Sequence, residues 1–324
     1  MRELETIFSA KFLDEIRYRN LNCLMFRIKY YVISAYFFVL IALFCSIMNP
    51  SLLSGKETYR IFTAEGSPAT FNDMIKALTK ADVIFFGELH GSPLIHWLQR
   101  ETLMALHEAR NGRIALGAEM LESDQQMIFD EYLGKKISER SFLHDARLWP
   151  SHRRDYQGLL RFARDKQIPV FATSPPRRYS ALVFAGGLEA LNDLNSTAKN
   201  FIAPLPVILP PVSGDENADD GFTREWRDIH MKGHWFKAQA IKDATMAHFI
   251  EKNLSPGGTF LHINGRFHSD FFRGIPWYLL RAGKSIRIAS VSTVIQNDIG
   301  RLAEEHKGRG NFIICVPASF EGSD

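Results

Sequence analysis

Four side chains stand where the ends of apolar runs could gather them into one acid–base site. Glu88 and His90 alternate along an extended segment that leaves the run Val83–Phe86, a spacing that lets both project the same way. A Glu-x-His pair can bind a divalent metal, or it can act as an acid–base pair whose carboxylate orients the imidazole. Glu119 ends the run Ile114–Ala118, where burying a carboxylate is costly without a partner. Its natural partners are a metal, His90 or Arg177. His268 follows Asn264-Gly265, and the glycine permits a sharp exit from the run before it. Arg177 comes after Pro175-Pro176 at the start of a helix and suits a bidentate grip on a carboxylate or phosphate. Glu88, His90, Glu119, His268 and Arg177 are therefore the expected catalytic set, with Glu88, His90 and Glu119 as the ligands of a divalent metal. The plainer expectation is a buried polar network that pins strand ends and does no chemistry. His262 falls inside its apolar run and reads as a hydrogen-bonded core histidine.

These residues need a scaffold that brings separate strand ends together. The runs Val83–Phe86, Ile114–Ala118, Pro169–Ala172, Thr259–Ile263, Ile286–Val291 and Phe312–Val316 are short, apolar and separated by helical stretches. That alternation predicts an α/β fold with a mostly parallel sheet of roughly six strands, flanked by helices. Ligands of such sheets sit beyond the carboxyl ends of the strands. Helices are expected over Thr70–Lys80 (Thr70 as cap), Ser92–Arg110, Gln126–Leu133, Asp155–Lys166, Phe236–Asn253 and Asp270–Ala282. Two stretches depart from the alternation, a smaller helical insertion at about 120–160 and a second insertion at 186–234 with four prolines and an acidic patch.

The chain has 324 residues, 23% of them charged, and a formal net charge of +3. That charge is too small to suggest nucleic acid, and no basic stripe interleaved with aromatics appears. A serine-hydrolase elbow, a phosphate-binding loop and a dinucleotide fingerprint are all missing. Of Cys23, Cys45 and Cys315, only the last lies in the expected domain, on an apolar run, so no internal disulfide and no Cys-x-x-Cys zinc site is expected.

Tyr30–Met48 is uncharged and comes after Arg27 and Lys29. It reads as a signal peptide or membrane anchor, and the basic residues before it place the C-terminal domain outside the cytoplasm. Met25 is an alternative start, which divides the chain into an extension at 1–24, a signal or anchor at 25–49 and a domain at 57–316. That division implies export to a periplasmic or membrane-anchored position. Phe44 before Cys45 is bulky for a lipid-attachment site.

The insertions carry a different chemistry. His144 to Tyr156 packs two His, three Arg, Trp149 and Tyr156 into a short span, and the second insertion adds Trp226, His230, His234 and Trp235. Flat aromatic surface, basic groups such as Arg153 for propionates and a Tyr or His donor are what a ferric haem needs. An exposed basic segment with packing tryptophans is the alternative.

Taken in order, Gly87-Glu88-Leu89-His90, Glu119 with Gln125-Gln126, Trp149 with Tyr156, the Pro-Arg after the third run, Gln239-x-x-x-Asp243-Ala244-Thr245-Met246-Ala247 and Asn264-Gly265-x-x-His268 resemble the ChaN-like family of haem-binding, iron-regulated bacterial lipoproteins. The resemblance spans about residues 57–316. It implies an α/β domain with a smaller helical part, and haem held where two copies meet in a homodimer. A tyrosine binds the iron in that family, with a histidine from the partner chain. Tyr156 matches the tyrosine by position, and His234 and His230 are the candidates for the histidine. The wider fold group also resembles erythromycin esterase-like and TraB/TIKI-type proteins, which keep a related Glu-x-His motif for hydrolysis.

Overall fold

The structure is a computed structural model, and it describes residues 57–210, 234–281, 283 and 285–318. Met25, Tyr30–Met48, Cys45, Trp226 and His230 lie outside the described residues. Among the described residues no helix is long and apolar enough to cross a membrane.

The sheet has eight strands in the order β2-β1-β8-β7-β3-β6-β4-β5. They are β1 (Arg60–Thr63), β2 (Pro68–Ala69), β3 (Val83–Glu88), β4 (Ile114–Glu122), β5 (Val170–Ser174), β6 (Thr259–Gly265), β7 (Ile288–Gln296) and β8 (Phe312–Pro317). The six from β3 onward are mutually parallel, whereas β1 pairs antiparallel with both β8 and β2. The extra pair escaped the sequence because Arg60–Thr63 and Pro68–Ala69 are too short to show a period. The central strand explains the apolar runs: Val83, Ile84, Phe85 and Phe86 have no exposure at all, since helices cover both faces. Burying each such side chain contributes about 1.5–3 kcal/mol.

The helices are α1 (Phe71–Leu78), α2 (Pro93–Ala109), α3 (Gln126–Leu133), α4 (Glu139–Asp145), α5 (His152–Asp155), α6 (Gln157–Asp165), α7 (Arg177–Gly186), α8 (Ser196–Lys199), α9 (Trp235–Asn253) and α10 (Ile275–Arg281). Thr70 caps α1 as expected, accepting from the Asp73 amide while the Asp73 side chain returns the bond to the Thr70 amide. Between β4 and β5 the chain forms α3 to α6, whose apolar side chains (Phe129, Tyr132, Phe142, Leu159 and Leu160) join the main core.

Two expected bounds shift for physical reasons. The helix expected over Asp270–Ala282 forms only as α10, because Phe271 and Phe272 both adopt φ +57° and break the helical path. Asp270 compensates by holding Arg309, Arg266 and Ser292 at 2.7, 2.9 and 2.6 Å. The strand expected to stop before Glu119 continues to Glu122, with a register shift against β5 between Ala118 and Glu122. An irregularity of this kind re-aims side chains at the end of a strand.

Candidate functional site

Three neighbouring strands, β3, β6 and β4, deliver the site at their carboxyl ends. After β3 the chain crosses to β4 on one side, and after β6 it crosses to β7 on the other, so the crevice lies where connections diverge.

Glu88 is the last residue of β3 and is 2% exposed. Its carboxylate accepts three hydrogen bonds: from the Tyr156 hydroxyl at 2.5 Å, from His90 Nδ1 at 2.7 Å and from Gln99 Nε2 at 2.5 Å. Because the Gln99 amide gives its hydrogens to Glu88, its oxygen must accept from His96 Nδ1, at 3.1 Å. A buried carboxylate served by three donors is held in one orientation. His90 is therefore held with its proton on Nδ1 and Nε2 turned outward, and its side chain is 51% exposed. The bond to Glu88 raises the pKa of His90 against the opposing effect of burial, and the charges of Glu88 and Glu119 add to the rise. Trp149 meets the His90 ring edge-on at 5.2 Å.

Glu119 anchors the second half. Its Oε2 accepts from the Gly265 amide at 2.9 Å, and its Oε1 lies 3.2 Å from His268 Nε2 and 3.6 Å from Lys242 Nζ. The other ring nitrogen of His268 meets Asp243 Oδ1 at 2.5 Å. Burial alone would strip His268 of its charge, but Glu119 and Asp243 outweigh it and lift the imidazole to about 10. Burial likewise opposes ionisation of Glu119, yet His268, then Lys242 and His90, keep it well below the usual carboxylate range.

The two halves meet at Gly265. A side-chain Cβ there would stand 2.9 Å from His90 Nε2 and 3.5 Å from Glu119 Oε2. The missing side chain lets the His90 ring approach the Gly265 backbone closely, so that an imidazole nitrogen and a carboxylate stand on either side of it. His262 sits beneath, hydrogen-bonded to Thr173 at 2.8 Å and Asn264 at 3.0 Å, and burial lowers its pKa to about 4. It is the core histidine expected.

Glu88, His90, Glu119 and His268 thus come together as expected, and three other expectations need correction. Arg177 is not part of the cluster: β4 runs on to Glu122, and Arg177 Nε donates there at 2.5 Å, beside Arg147 at 3.1 Å. A metal at Glu88, His90 and Glu119 is not supported, because both oxygens of each carboxylate are already taken by protein donors. Among the described residues no group of three His, Cys, Asp or Glu side chains could hold a metal ion. Tyr156 does not present its oxygen to a ligand. It is 3% exposed, its proton is given to Glu88, and burial followed by the charge of Glu88 raises the phenol far above its ordinary range.

Of the other expected residues, Trp149 is half-buried, Arg153 is exposed on α5, and the ring of His234, just before α9, lies against Gly187. Sequence reasoning gave no role to Gln99, Lys242 and Asp243. Gln99 lies on the buried stripe of α2 between Ile95 and Leu103, and Asp243 on that of α9 between Ala240 and Ala247. A polar side chain on an apolar stripe was the available signal.

Fold and site together define an α/β protein with a preorganised carboxylate–imidazole cluster at the ends of its central parallel strands. The chain belongs to the family described as haem-binding uptake, Tiki superfamily, ChaN, which matches residues 74–279. Among solved structures it is similar to ChaN of Campylobacter jejuni, described as binding haem cofacially, with 18% identity, a TM-score of 0.59, and coverage of 80% of this chain and 97% of that one. Weaker likenesses include the type III effector HopBA1 (14% identity, TM-score 0.45, covering 75% of this chain and 91% of that one) and a Bacillus cereus protein (12%, 0.44, 77% and 92%). No curated protein matches the chain in sequence.

Proposed function

We propose that the chain is an exported haem-binding protein that serves bacterial haem or iron uptake. Membership of a haem-binding uptake family over residues 74–279 is the observation that carries this reading. The insertion supports it: Trp149 offers an aromatic face beside the exposed edge of His90, and Arg153 is exposed and suited to a propionate. Haem, when bound, supplies the iron that is taken up. Tyr156 does not fit as an iron ligand while its hydroxyl is held by Glu88. His234 and His230 remain the histidines proposed to face haem from a second copy, and residues 25–49 the segment proposed to export the domain or hold it at a membrane. Hemin titrated into the purified protein should give a Soret band, and Trp149→Ala and Arg153→Ala should weaken binding. A wild-type protein with no spectral change would end this reading.

The exposed Nε2 side of the His90 ring, oriented by Glu88, favours a second reading, an acid–base hydrolase. A water placed there gives its proton to His90 Nε2 while its oxygen attacks an ester or amide carbonyl, and His90 returns the proton to the leaving group. Glu88 stabilises the charge that forms on His90. A panel of esters and amides tests it: turnover lost in His90→Gln supports the reading, and no turnover by wild type removes it.

A further inference from the structure

We infer that Arg147, Arg177 and Arg178 form a second binding site, a guanidinium fork that takes an oxyanion, the phosphate or carboxylate group of a small ligand, at the end of β4. The fork stands apart from both readings of the strand-end cluster, since it shares no side chain with Glu88, His90, Glu119 or His268.

Two carboxylates build it from below. Glu122 Oε1 accepts from Arg177 Nε at 2.5 Å, and Glu122 Oε2 accepts from Arg147 Nη2 at 3.1 Å. Asp124 Oδ1 accepts from the same Arg147 Nη2, and Asp124 Oδ2 accepts from Arg178 Nη1 at 2.7 Å. All four carboxylate oxygens are thus spent on arginine. Gln125 pins Arg147 through its backbone: the Gln125 oxygen accepts from the Arg147 amide at 2.5 Å, and the Gln125 amide donates to the Arg147 carbonyl at 3.3 Å. The carboxylate side chains are buried, only 5% and 9% exposed, whereas those of Arg147, Arg177 and Arg178 are 46%, 60% and 50% exposed. The anions face inward and the cations face solvent.

Three features set this apart from ion pairs that only hold elements together. Two cations would neutralise two carboxylates, and the third leaves one positive charge at the surface. Arg177 spends only its Nε; among the described residues its Nη1 and Nη2 donate to nothing, and they form the planar edge that meets an oxyanion in bidentate fashion. Arg177 and Arg178 also occupy the first turn of α7, which holds no acidic residue. Helix stability favours carboxylates in that turn and opposes cations, so local structure does not ask for two arginines there. Glu122 follows Glu119 by three residues on β4, which puts their Cα atoms no more than about 11 Å apart. The fork therefore opens at the same end of the sheet as the strand-end cluster.

Isothermal titration of the full-length chain with inorganic phosphate, citrate and hemin tests the fork. Arg177→Ala and Arg147→Ala should each weaken phosphate or citrate binding at least ten-fold. Arg177→Lys keeps the charge but loses the planar edge, and should fall between wild type and Arg177→Ala. Urea midpoints of the same variants separate affinity from folding, and Arg177→Lys serves should an alanine variant not fold. Hemin compared with hemin dimethyl ester identifies the source of the anion. Binding weakened alike by esterification and by Arg177→Ala upholds the fork with a propionate as its ligand. Phosphate or citrate binding that depends on Arg177, beside hemin binding that does not, upholds it for the anion of another ligand. A protein that takes up no hemin yet binds phosphate through Arg177 removes the haem reading and keeps the fork. Affinity for all three probes that is absent, or unchanged in Arg177→Ala and Arg147→Ala, would overturn the proposal and leave the arginines a structural clamp.

Discussion

The hydroxyl of Tyr156 donates to the carboxylate of Glu88 at 2.5 Å, joining the helical insertion to the end of the central strand across 68 residues of chain. This bond, with those from His90 and Gln99, makes Glu88 the hub on which the exposed imidazole is oriented. It also separates the tyrosine from any ligand at the surface.

Tyr156→Phe should therefore act on the cluster and not on haem. Loss of one of three donors to a buried carboxylate should cost about 1–3 kcal/mol, read as a lowered urea midpoint. Hemin binding should stay within a few-fold of wild type. Loss of the Soret band would show instead that the phenol leaves Glu88 to reach iron.

Gly265→Ala should displace the His90 ring with little harm to the fold. The backbone at Gly265 (φ −54°, ψ 133°) suits any residue, and the added methyl would stand 2.9 Å from Nε2 of the exposed His90 ring, which must then shift from its place on Glu88. Stability should change by less than about 1 kcal/mol, while any hydrolysis should fall by at least ten-fold. Undiminished turnover would place the reacting water elsewhere.

Gly117→Ala makes the opposite comparison. The new methyl would stand 2.5 Å from Phe260 Cε1 and 3.0 Å from His262 Cδ2, both on fully buried side chains. With nowhere for those rings to move, overpacking should cost about 1–3 kcal/mol, and more if the strand shifts. Denaturant unfolding measures it, and a neutral result would mean that β4 and β6 pack more loosely than this.

Stability should pass through a maximum near the ordinary histidine pKa of about 6.5. His268 is raised to about 10, so its contribution is complete below about pH 6.5 and is lost as pH climbs through 10. His90 is also raised and loses its share in the same direction. His262 and His152 are lowered by burial to about 4, so the unfolded chain takes up protons first, and stability falls between about pH 6.5 and 4. Urea midpoints against pH test this: His268→Gln should flatten the alkaline limb and leave the acid limb in place.

Strand positions were readable wherever one residue type repeats over several positions. Val83–Phe86 and Phe312–Val316 announce buried strands because both of their faces are covered, and Thr70 with Asp73 announces a helix start because the capping geometry is local. Phe271 and Phe272 defeated the same reasoning, since their left-handed backbone accompanies a contact between Asp270 and the distant Arg309, which no local pattern encodes.

The chemical vocabulary of the site was set by the sequence alone: Glu88, His90, Glu119 and His268 at strand ends are announced by apolar runs that stop at polar residues. Tertiary structure decided which nitrogen and which oxygen each of them uses. Asp243, 25 residues from His268 in the chain, engages one ring nitrogen of that histidine. Glu122, four residues past the expected strand end, takes Arg177 from the cluster. Tyr156 gives its proton to Glu88 and so is withdrawn from the surface where its neighbours Trp149 and Arg153 remain. The reason is common to all three. A residue's type fixes how many hydrogen bonds it can make, but only the packing of distant strands and helices determines which partners satisfy them.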